Sequence, residues 1–350
     1  MRVLLSGAFH PDFEALPDYL AAALARQGHD VALFDHRRFL LPGRLRARAP
    51  LLHRLDRARL NRAFAAAVRR HRAAVAIVNQ GMTIEPATIA RLRDAGVRMV
   101  NWFSDFPAEF EEGLVAAPAY DAFHLGSSYA VERHRALGHR HASWLPFACD
   151  PQAHRPEGPM DVIGPGRVVF AGSHYPERQV LLRHLRGLPL DVYGPGWERA
   201  RDDGHVAPMI RDPFALRPAA WRRLYSRAAA VLNIHYGAFG PVSASGEMAN
   251  TRAFEIPACG ALQIADRRRD LLAVFREGEE LLAFSSGEEL RCVVETALAD
   301  EALRRNVAAA GRRAVLAGHT YDDRVRVLLG EAQAPALPGA ADGMAQGRAA

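Results

Sequence analysis

Short apolar runs alternate with longer amphipathic stretches along most of this chain, and the pattern stops and then restarts near the middle. That alternation leaves few architectures open. Apolar runs of strand length set between helical patterns read as strands of parallel sheets covered by helices, an α/β class. Arg2–Ser6 reads as a first strand ending at Gly7, Leu16–Arg26 as a helix and Val31–Phe34 as a second strand. Ala74–Val78, Arg98–Phe103, Ala122–Leu125 and Ser143–Pro146 continue the series. Cys149–Gly166 is rich in Pro, Gly and charge, without periodicity, and reads as a linker. Arg167–Ala171 then repeats the opening strand and ends in Gly172, as the first ends in Gly7. Strands over Leu190–Tyr193, Ala230–Ile234, Ala261–Ile264 and Leu281–Phe284 follow, with helices over Pro218–Arg227, Thr251–Cys259, Glu288–Ala299 and Glu301–Ala317. The expected fold is two Rossmann-like, doubly wound domains facing a central cleft: residues 1–150, a linker over 151–166, and residues 167–330. The Ala/Pro/Gly-rich stretch 331–350 is expected to be a disordered tail.

A length of 350 residues suits two such domains. All 45 basic residues are arginine, so no lysine is available as Schiff-base former, general base or phosphate clamp. Phosphate binding would fall to arginine, whose planar fork suits it. Cys149, Cys259 and Cys292 are scattered and in no CxxC pattern, against a zinc site or disulfide framework. The opening MRVLLSGAF is too short for a signal-peptide core, and no run approaches the ~20 apolar residues of a membrane span, so a cytoplasmic protein is expected.

The stretch Ser243–Gly260, SASGEMANTRAFEIPACG, is the most informative. Glu247 and Glu255 have seven residues between them. The turn-rich lead-in puts Glu247 in the loop before a helix and Glu255 inside it. The amides of Asn250, Thr251 and Arg252 then sit at the helix start, where N–H groups and dipole suit a diphosphate, and Arg252 adds charge. Glu255 would accept from ribose hydroxyls, and Glu247 would reach a sugar beyond the phosphates. On spacing alone, the plainer reading of an acid near a helix start and a solvated glutamate prevails; the position after a strand of the second Rossmann-like half argues for the site.

These residues carry a resemblance. The Glu-x7-Glu pattern and the small-residue helix end are similar to the donor motif of retaining GT-B glycosyltransferases. More closely, NIHYGAFGPVSASGEMANTRAFEIPACGALQIAD, with HTYDDRV and FAGSHYPERQVLLRHL, resembles the spore-maturation (CgeB-like) glycosyltransferase family. The resemblance is specific over about 167–330 and looser over 1–150, where WFSDFP and LPFAC are the main points. It implies a metal-independent, retaining hexosyltransferase that uses a nucleoside diphosphate sugar such as a UDP-sugar, with no cofactor. By it Glu255 binds the ribose, Asn250, Thr251 and Arg252 line the diphosphate, and Glu247 contacts the donor sugar. The lysine often found beside the diphosphate in related enzymes has no counterpart here, and Arg178 is the substitute.

Further candidates stand beside ordinary structural alternatives. In Gly172-Ser173-His174-Tyr175-Pro176-Glu177-Arg178, Gly172 and Ser173 would let backbone approach the donor and Arg178 would pair with phosphate; the alternative is a plain strand–helix turn. Tyr193 or Trp197 would stack on a base, or merely shape a turn. Asn233 and His235 end an apolar strand; the family implication puts them near the diphosphate, and a hydrogen-bonded strand-edge histidine is the alternative. Asp105 follows a strand, a catalytic address, and is suited to act as base toward an acceptor hydroxyl; it would equally serve as an N-cap. Gly7, His10 and His124 are weaker acceptor-side candidates on the same argument.

Arg37–Arg72 contains twelve arginines and one acid, Asp56, with an apolar stripe at Leu51, Leu52, Leu55, Phe64 and Val68. It suits a peripheral membrane contact, at an inner membrane face, or an anionic or lipid-linked acceptor, although a solvated helix face is the plainer reading. Charge without a recognisable module argues against nucleic acid. The absence of Asp-x-Asp disfavours metal-dependent GT-A chemistry, and the absence of GxGxxG or a P-loop disfavours dinucleotide oxidoreductases and NTPases. A sugar-nucleotide epimerase on the same fold and a non-catalytic nucleotide-sugar-binding scaffold remain open alternatives.

Overall fold

The two halves of the hydrophobic pattern become two parallel sheets of six and five strands that share the order 2-1-3-4-5, the first adding a sixth strand at its edge. The computed structural model describes residues 1–11, 14–104, 117–158, 166–211, 218–237 and 247–338. The chain divides into one unit of Met1–Pro146 with Tyr321–Ala350 and another of Phe147–Thr320.

In the first unit, strands β1 (Arg2–Gly7), β2 (Asp30–Asp35), β3 (Val75–Asn79), β4 (Arg98–Phe103), β5 (Ala122–Leu125) and β6 (Ala142–Trp144) run parallel in the order β2-β1-β3-β4-β5-β6. Helices α1 (Leu16–Arg26), α2 (Gly43–Arg48), α3 (Pro50–His71), α4 (Pro86–Asp94) and α5 (Ser128–Ala136) connect them. Pro50 and Pro86 occupy first-turn positions, where proline lacks only an N–H that would have no helical partner. Ser127 caps α5, its hydroxyl accepting from Ala130 N. The apolar stripe expected along 51–68 divides: Phe64 and Val68 enter the core, whereas Leu51, Leu52 and Leu55 stay exposed.

In the second unit, β7 (Val168–Ala171), β8 (Leu190–Tyr193), β9 (Ala230–Asn233), β10 (Gln263–Asp266) and β11 (Leu282–Phe284) run parallel in the order β11-β10-β9-β7-β8. The helices are α6 (Pro176–Arg183), α7 (Pro218–Arg227), α8 (Arg252–Ala258), α9 (Arg269–Leu272), α10 (Gly287–Ala299) and α11 (Glu301–Gly318). Strand periodicity sorts the core. In β7, Val168 and Phe170 join a cluster with Leu182, Leu290, Val294 and Val307. Val169 and Ala171 join the opposite cluster, with Tyr225, Ile256 and Cys259. Both sheet faces are therefore covered, and full burial of a side chain such as Phe170 contributes roughly 3 kcal/mol.

The last helix, α12 (Tyr321–Leu328), belongs to the first unit, whereas the sequence boundary carries the second domain to 330. Tyr321 stacks on Tyr19 at 5.5 Å and meets Trp102 edge-on at 6.3 Å. Arg324 Nε donates to Pro146 O at 2.8 Å, and Arg26 holds Asp322 through two bonds of 3.1 and 2.8 Å. The described part of 151–166 is a folded turn of the second unit rather than a free linker. Asp150 Oδ1 accepts from Gln152 N and Ala153 N, and His154 Nδ1 accepts from Asp150 N, each at 2.9 Å. Of the expected tail, residues 339–350 lie outside the described residues.

In this order, adjacent strands β1 and β3, and likewise β7 and β9, send their connections to opposite sides. The crevice at their carboxyl ends is where open α/β sheets bind ligands.

Burial lowers the pKa of His36 and of His124 to about 4, each ring nitrogen being hydrogen-bonded to a serine: His36 Nδ1 to Ser6 Oγ at 3.2 Å, His124 Nδ1 to Ser143 Oγ at 2.8 Å. Both are buried neutral, and the unfolded chain takes up their protons near pH 6.5. Their stabilisation is complete above that pH and is lost as pH falls towards 4, by about 3 kcal/mol per group. The melting temperature should fall over this window, and His124→Gln should flatten the dependence. An identical pH profile in the variant would refute the assignment.

Candidate functional site

Gly172 follows β7 directly, at the crevice of the second sheet. A Cβ on it would lie 2.3 Å from Arg252 Nη1 and 3.4 Å from Arg178 Nη1. Only a residue without a side chain lets Arg252 reach across to donate to Ala171 O at 2.6 Å. The turn after β8 fits equally closely: Gly194 has φ +131, and a Cβ there would lie 2.2 Å from Gly172 O. Trp197 Nε1 donates to that same carbonyl at 2.8 Å. Trp197 is fully buried, edge-on to Phe170 and His174, so it braces the turn and offers no face to a base. Tyr193 is half-buried and packs against the opposite face of the sheet, with Val169 and Ala171.

Arg178 projects from the first turn of α6 and is 3% exposed. Its Nη1 donates to Ser173 O at 2.8 Å and its Nη2 to Ile234 O at 2.6 Å, so one guanidinium spans the β7 and β9 ends of the crevice. Its carbon sits 4.9 Å from the ring centre of Tyr175. Burial, and then the like charge of Arg252, lowers its pKa to about 9. Among the described residues, no carboxylate lies within ion-pair distance of Arg178 or Arg252. A buried cation held by carbonyls alone is incompletely compensated and suits an anionic ligand.

The start of α8 is tied down by amides. Asn250 Oδ1 accepts from Ala253 N at 3.1 Å, a side-chain cap, and Asn250 Nδ2 donates to Asn233 Oδ1 at 2.8 Å. Asn233 in turn donates to Gln263 Oε1 at 3.2 Å, and Gln263 Nε2 to Ala253 O at 3.4 Å. This ring fixes the helix start, Thr251 and Arg252 included, against the ends of β9 and β10. The Asn250 side chain is used structurally, which leaves ligand contact to backbone and to Arg252.

His235 follows β9 and is buried. Its N–H and its Nδ1–H both donate to Asp266 Oδ1, at 2.9 and 2.8 Å, and Arg268 Nε donates to Asp266 Oδ2 at 2.5 Å. Burial lowers the pKa of His235 against the opposing pull of Asp266. Against its own burial, Asp266 is held well below the usual carboxylate range by His235 and Arg268. The ring is thus neutral with its lone pair on Nε2, a buried atom without a partner among the described residues.

The two glutamates occupy different surroundings. Glu247 Oε2 accepts from Arg269 N at 3.3 Å, at the start of α9. Glu255 lies one turn into α8, 15% exposed, with Oε1 3.8 Å from His154 Nε2. The structure therefore gathers Gly172, Ser173, Arg178, His235, Asn250, Thr251 and Arg252 around one sheet edge, with Glu255 on the same helix. Asp266, Arg268 and His154 were not foreseen. Asp266 ends a parallel strand, the same address that singles out Asp105, and that signal was available; His154 sits in a stretch whose Pro and Gly content reads as linker.

In the first unit, Asp105 lies outside the described residues. Gly7 ends β1 and makes room for Pro17, whose Cβ would lie 2.5 Å from a Cβ on it. His10 is half-buried beyond β1. His124 lies within β5 rather than after it. Sequence reasoning passed over Gln80, a non-glycine residue at φ 58 beyond the end of β3, beside the first sheet's crevice.

Residues 178–330 match a family of glycosyl transferase-like domains. Among solved structures, sucrose-phosphate synthase from Thermosynechococcus elongatus superposes with a TM-score of 0.66 at 16% identity, covering 94% of this chain and 97% of that one. A glycosyltransferase from Rickettsia africae gives 0.64 at 10% identity, covering 94% and 97%. Anabaena HepE in complex with UDP-glucose gives 0.63 at 12% identity, covering 95% and 100%. No curated protein matches the chain. At these identities the likeness establishes the fold, the α/β GT-B architecture of two parallel sheets.

Removing the Asp266 carboxylate would leave Arg268 without this buried counter-charge and His235 without its anchor. Asp266→Ala should destabilise the protein by about 3–5 kcal/mol, read as the midpoint of urea unfolding. A change below about 1 kcal/mol would show that the network does not hold the crevice.

Proposed function

We propose that this chain is a glycosyltransferase that moves a sugar from a nucleoside diphosphate sugar to an acceptor hydroxyl, without a metal and with retention at the anomeric carbon. The observation that carries the reading is the pair of arginines at the crevice of the second sheet, buried Arg178 and half-buried Arg252, without a carboxylate within ion-pair distance among the described residues. The family match over 178–330 and the UDP-glucose bound by the structurally similar HepE support it. The Glu-x7-Glu pattern supports retention, and the stretches NIHYGAFGPVSASGEMANTRAFEIPACGALQIAD, HTYDDRV and FAGSHYPERQVLLRHL support the finer placement in the CgeB-like branch.

In the reaction, the bond between the anomeric carbon and the diphosphate oxygen breaks, and a bond to the acceptor oxygen forms. The acceptor's proton passes to a base, and the diphosphate departs with an added negative charge. Arg178 and Arg252 would offset that charge as it develops, together with the amides at the start of α8, which is the task a metal performs elsewhere. Glu255 is assigned to the ribose and Glu247 to the donor sugar, with Asp105 as the base. Gly7, His10 and His124 are assigned to the acceptor side in the first unit; of these His124, buried and bonded to Ser143, is the least accessible to a ligand.

Thermal stabilisation by a panel of nucleotides and nucleotide sugars tests the donor site. A ligand at a hundred times its Kd should stabilise the folded protein by about 2.7 kcal/mol. One nucleoside diphosphate should raise the melting temperature of the wild type, and Arg252→Gln and Glu255→Ala should each weaken its binding at least about tenfold, ~1.4 kcal/mol. If no nucleotide of a broad panel shifts the wild type, the reading fails. Product analysis with and without acceptor then separates transfer from epimerisation, and a bound donor with no turnover would indicate a scaffold.

A further inference from the structure

Helix α2 buries none of its side chains, and α3 reaches the core only from Asp56 onward, through Leu60, Phe64 and Val68. Ahead of that point five leucines stand in solvent within sixteen consecutive residues: Leu40 is 70% exposed, Leu45 52%, Leu51 67%, Leu52 44% and Leu55 59%. On α3, residues 51, 52 and 55 fall within an arc of about 100° and form one face. A six-residue helix has little stability of its own in water. Local contacts hold α2 in place: Arg46 donates to Leu41 O at 3.0 Å and lies 3.9 Å over the ring of Phe39, which stacks on His53. The leucines take no part in those contacts.

The charge around them has one sign. Asp56, the one acid between 37 and 72, is buried and used internally, accepting from Leu40 N, Leu41 N and Arg59 Nε at 3.1, 2.9 and 3.2 Å. Arg38, Arg44, Arg48, Arg54 and Arg62 are all exposed, and among the described residues none has a carboxylate within ion-pair distance. An apolar patch rimmed by unpaired arginines is the composition of an interfacial helix on an anionic bilayer: the leucines enter the boundary between headgroups and acyl chains, and the guanidiniums meet lipid phosphates. Self-association would bring two copies of the same positive rim together, a like-charge contact that disfavours it.

We propose that the Leu40–Leu55 segment of the first unit docks the protein on an anionic lipid surface. No helix among the described residues is long and apolar enough to cross a membrane, so this docking is peripheral. It does not depend on the donor chemistry of the second unit.

Co-sedimentation of the full chain with vesicles, in the absence of any nucleotide, tests this. The protein should bind vesicles of phosphatidylglycerol mixed with phosphatidylcholine, bind phosphatidylcholine alone far more weakly, and release as salt is raised. The pair Leu51→Glu and Leu55→Glu should lower the partition coefficient at least about tenfold, and so should Arg44→Glu with Arg54→Glu. These side chains are exposed, so the melting temperature should be unchanged; if the glutamate pair does unfold the protein, Leu51→Ala with Leu55→Ala replaces it. No sedimentation with either vesicle, equal binding to both, or binding indifferent to the leucine changes overturns the proposal. So does a concentration-dependent dimer, seen by light scattering without vesicles and abolished by the leucine pair, which would assign the face to a second copy of the chain.

Discussion

The guanidinium of Arg252 occupies the space where a side chain at residue 172 would be. That exclusion organises the second unit. With a bare Cα at the end of β7, Arg252 closes on Ala171 O, and the turn at Gly194 packs on the Gly172 carbonyl. Arg178 then bridges from the β7 loop to the end of β9. The consequence is electrostatic. Two cations share a crevice in which backbone carbonyls accept their hydrogen bonds and no carboxylate among the described residues lies within ion-pair distance. Arg178 accordingly has its pKa lowered by burial and by its neighbour. The proposed dianionic ligand would supply the countercharge that the fold leaves out.

Acidic partners exist nearby, and their placement matters. Asp266 neutralises Arg268 and fixes His235, so its charge is already committed within a buried network. Glu247 is engaged at the start of α9, and Glu255 lies near His154. Had one of these carboxylates paired with Arg178 or Arg252, the crevice would be self-compensated and would have to break an ion pair before admitting a phosphate. Separating the paired charges from the unpaired ones, within a few residues of the same sheet edge, would keep the proposed anion site ready without unfolding anything.

The strands were legible because a parallel strand covered on both faces leaves an unbroken apolar run. Arg98–Phe103, Ala122–Leu125 and Leu190–Tyr193 begin and end in the structure where the residues suggest. The start of α8 and the turn at Gly172 were legible for a related reason: a capped helix start and a glycine have local signatures. What escaped was non-local. Nothing in the string around His154 says that a Pro-rich turn folds onto the second unit, since the contacts that hold it, such as Glu157 N to Ser226 Oγ, join residues 69 apart. Arg37–Arg72 was readable as basic and amphipathic, but whether Leu51 or Phe64 enters the core depends on where the sheet ends. The strand-end rule that selected Asp105 applies equally to Asp266, which ends β10.

The return of the chain follows from the same non-local logic. Helix α12 is amphipathic, and Tyr321 and Arg324 find partners in the first unit: Tyr19, Trp102 and the carbonyl of Pro146. Arg98 adds a bond to Leu328 O, and Arg26 holds Asp322. Two chain segments, at Pro146–Phe147 and at Thr320–Tyr321, therefore connect the units. The core of the first unit is finished only when the last helix arrives, so its stability depends on residues more than 170 positions beyond its sixth strand. A boundary drawn where the sheet pattern stops divides that core, and this is why contiguous domains inferred from strand patterns miss the final helix.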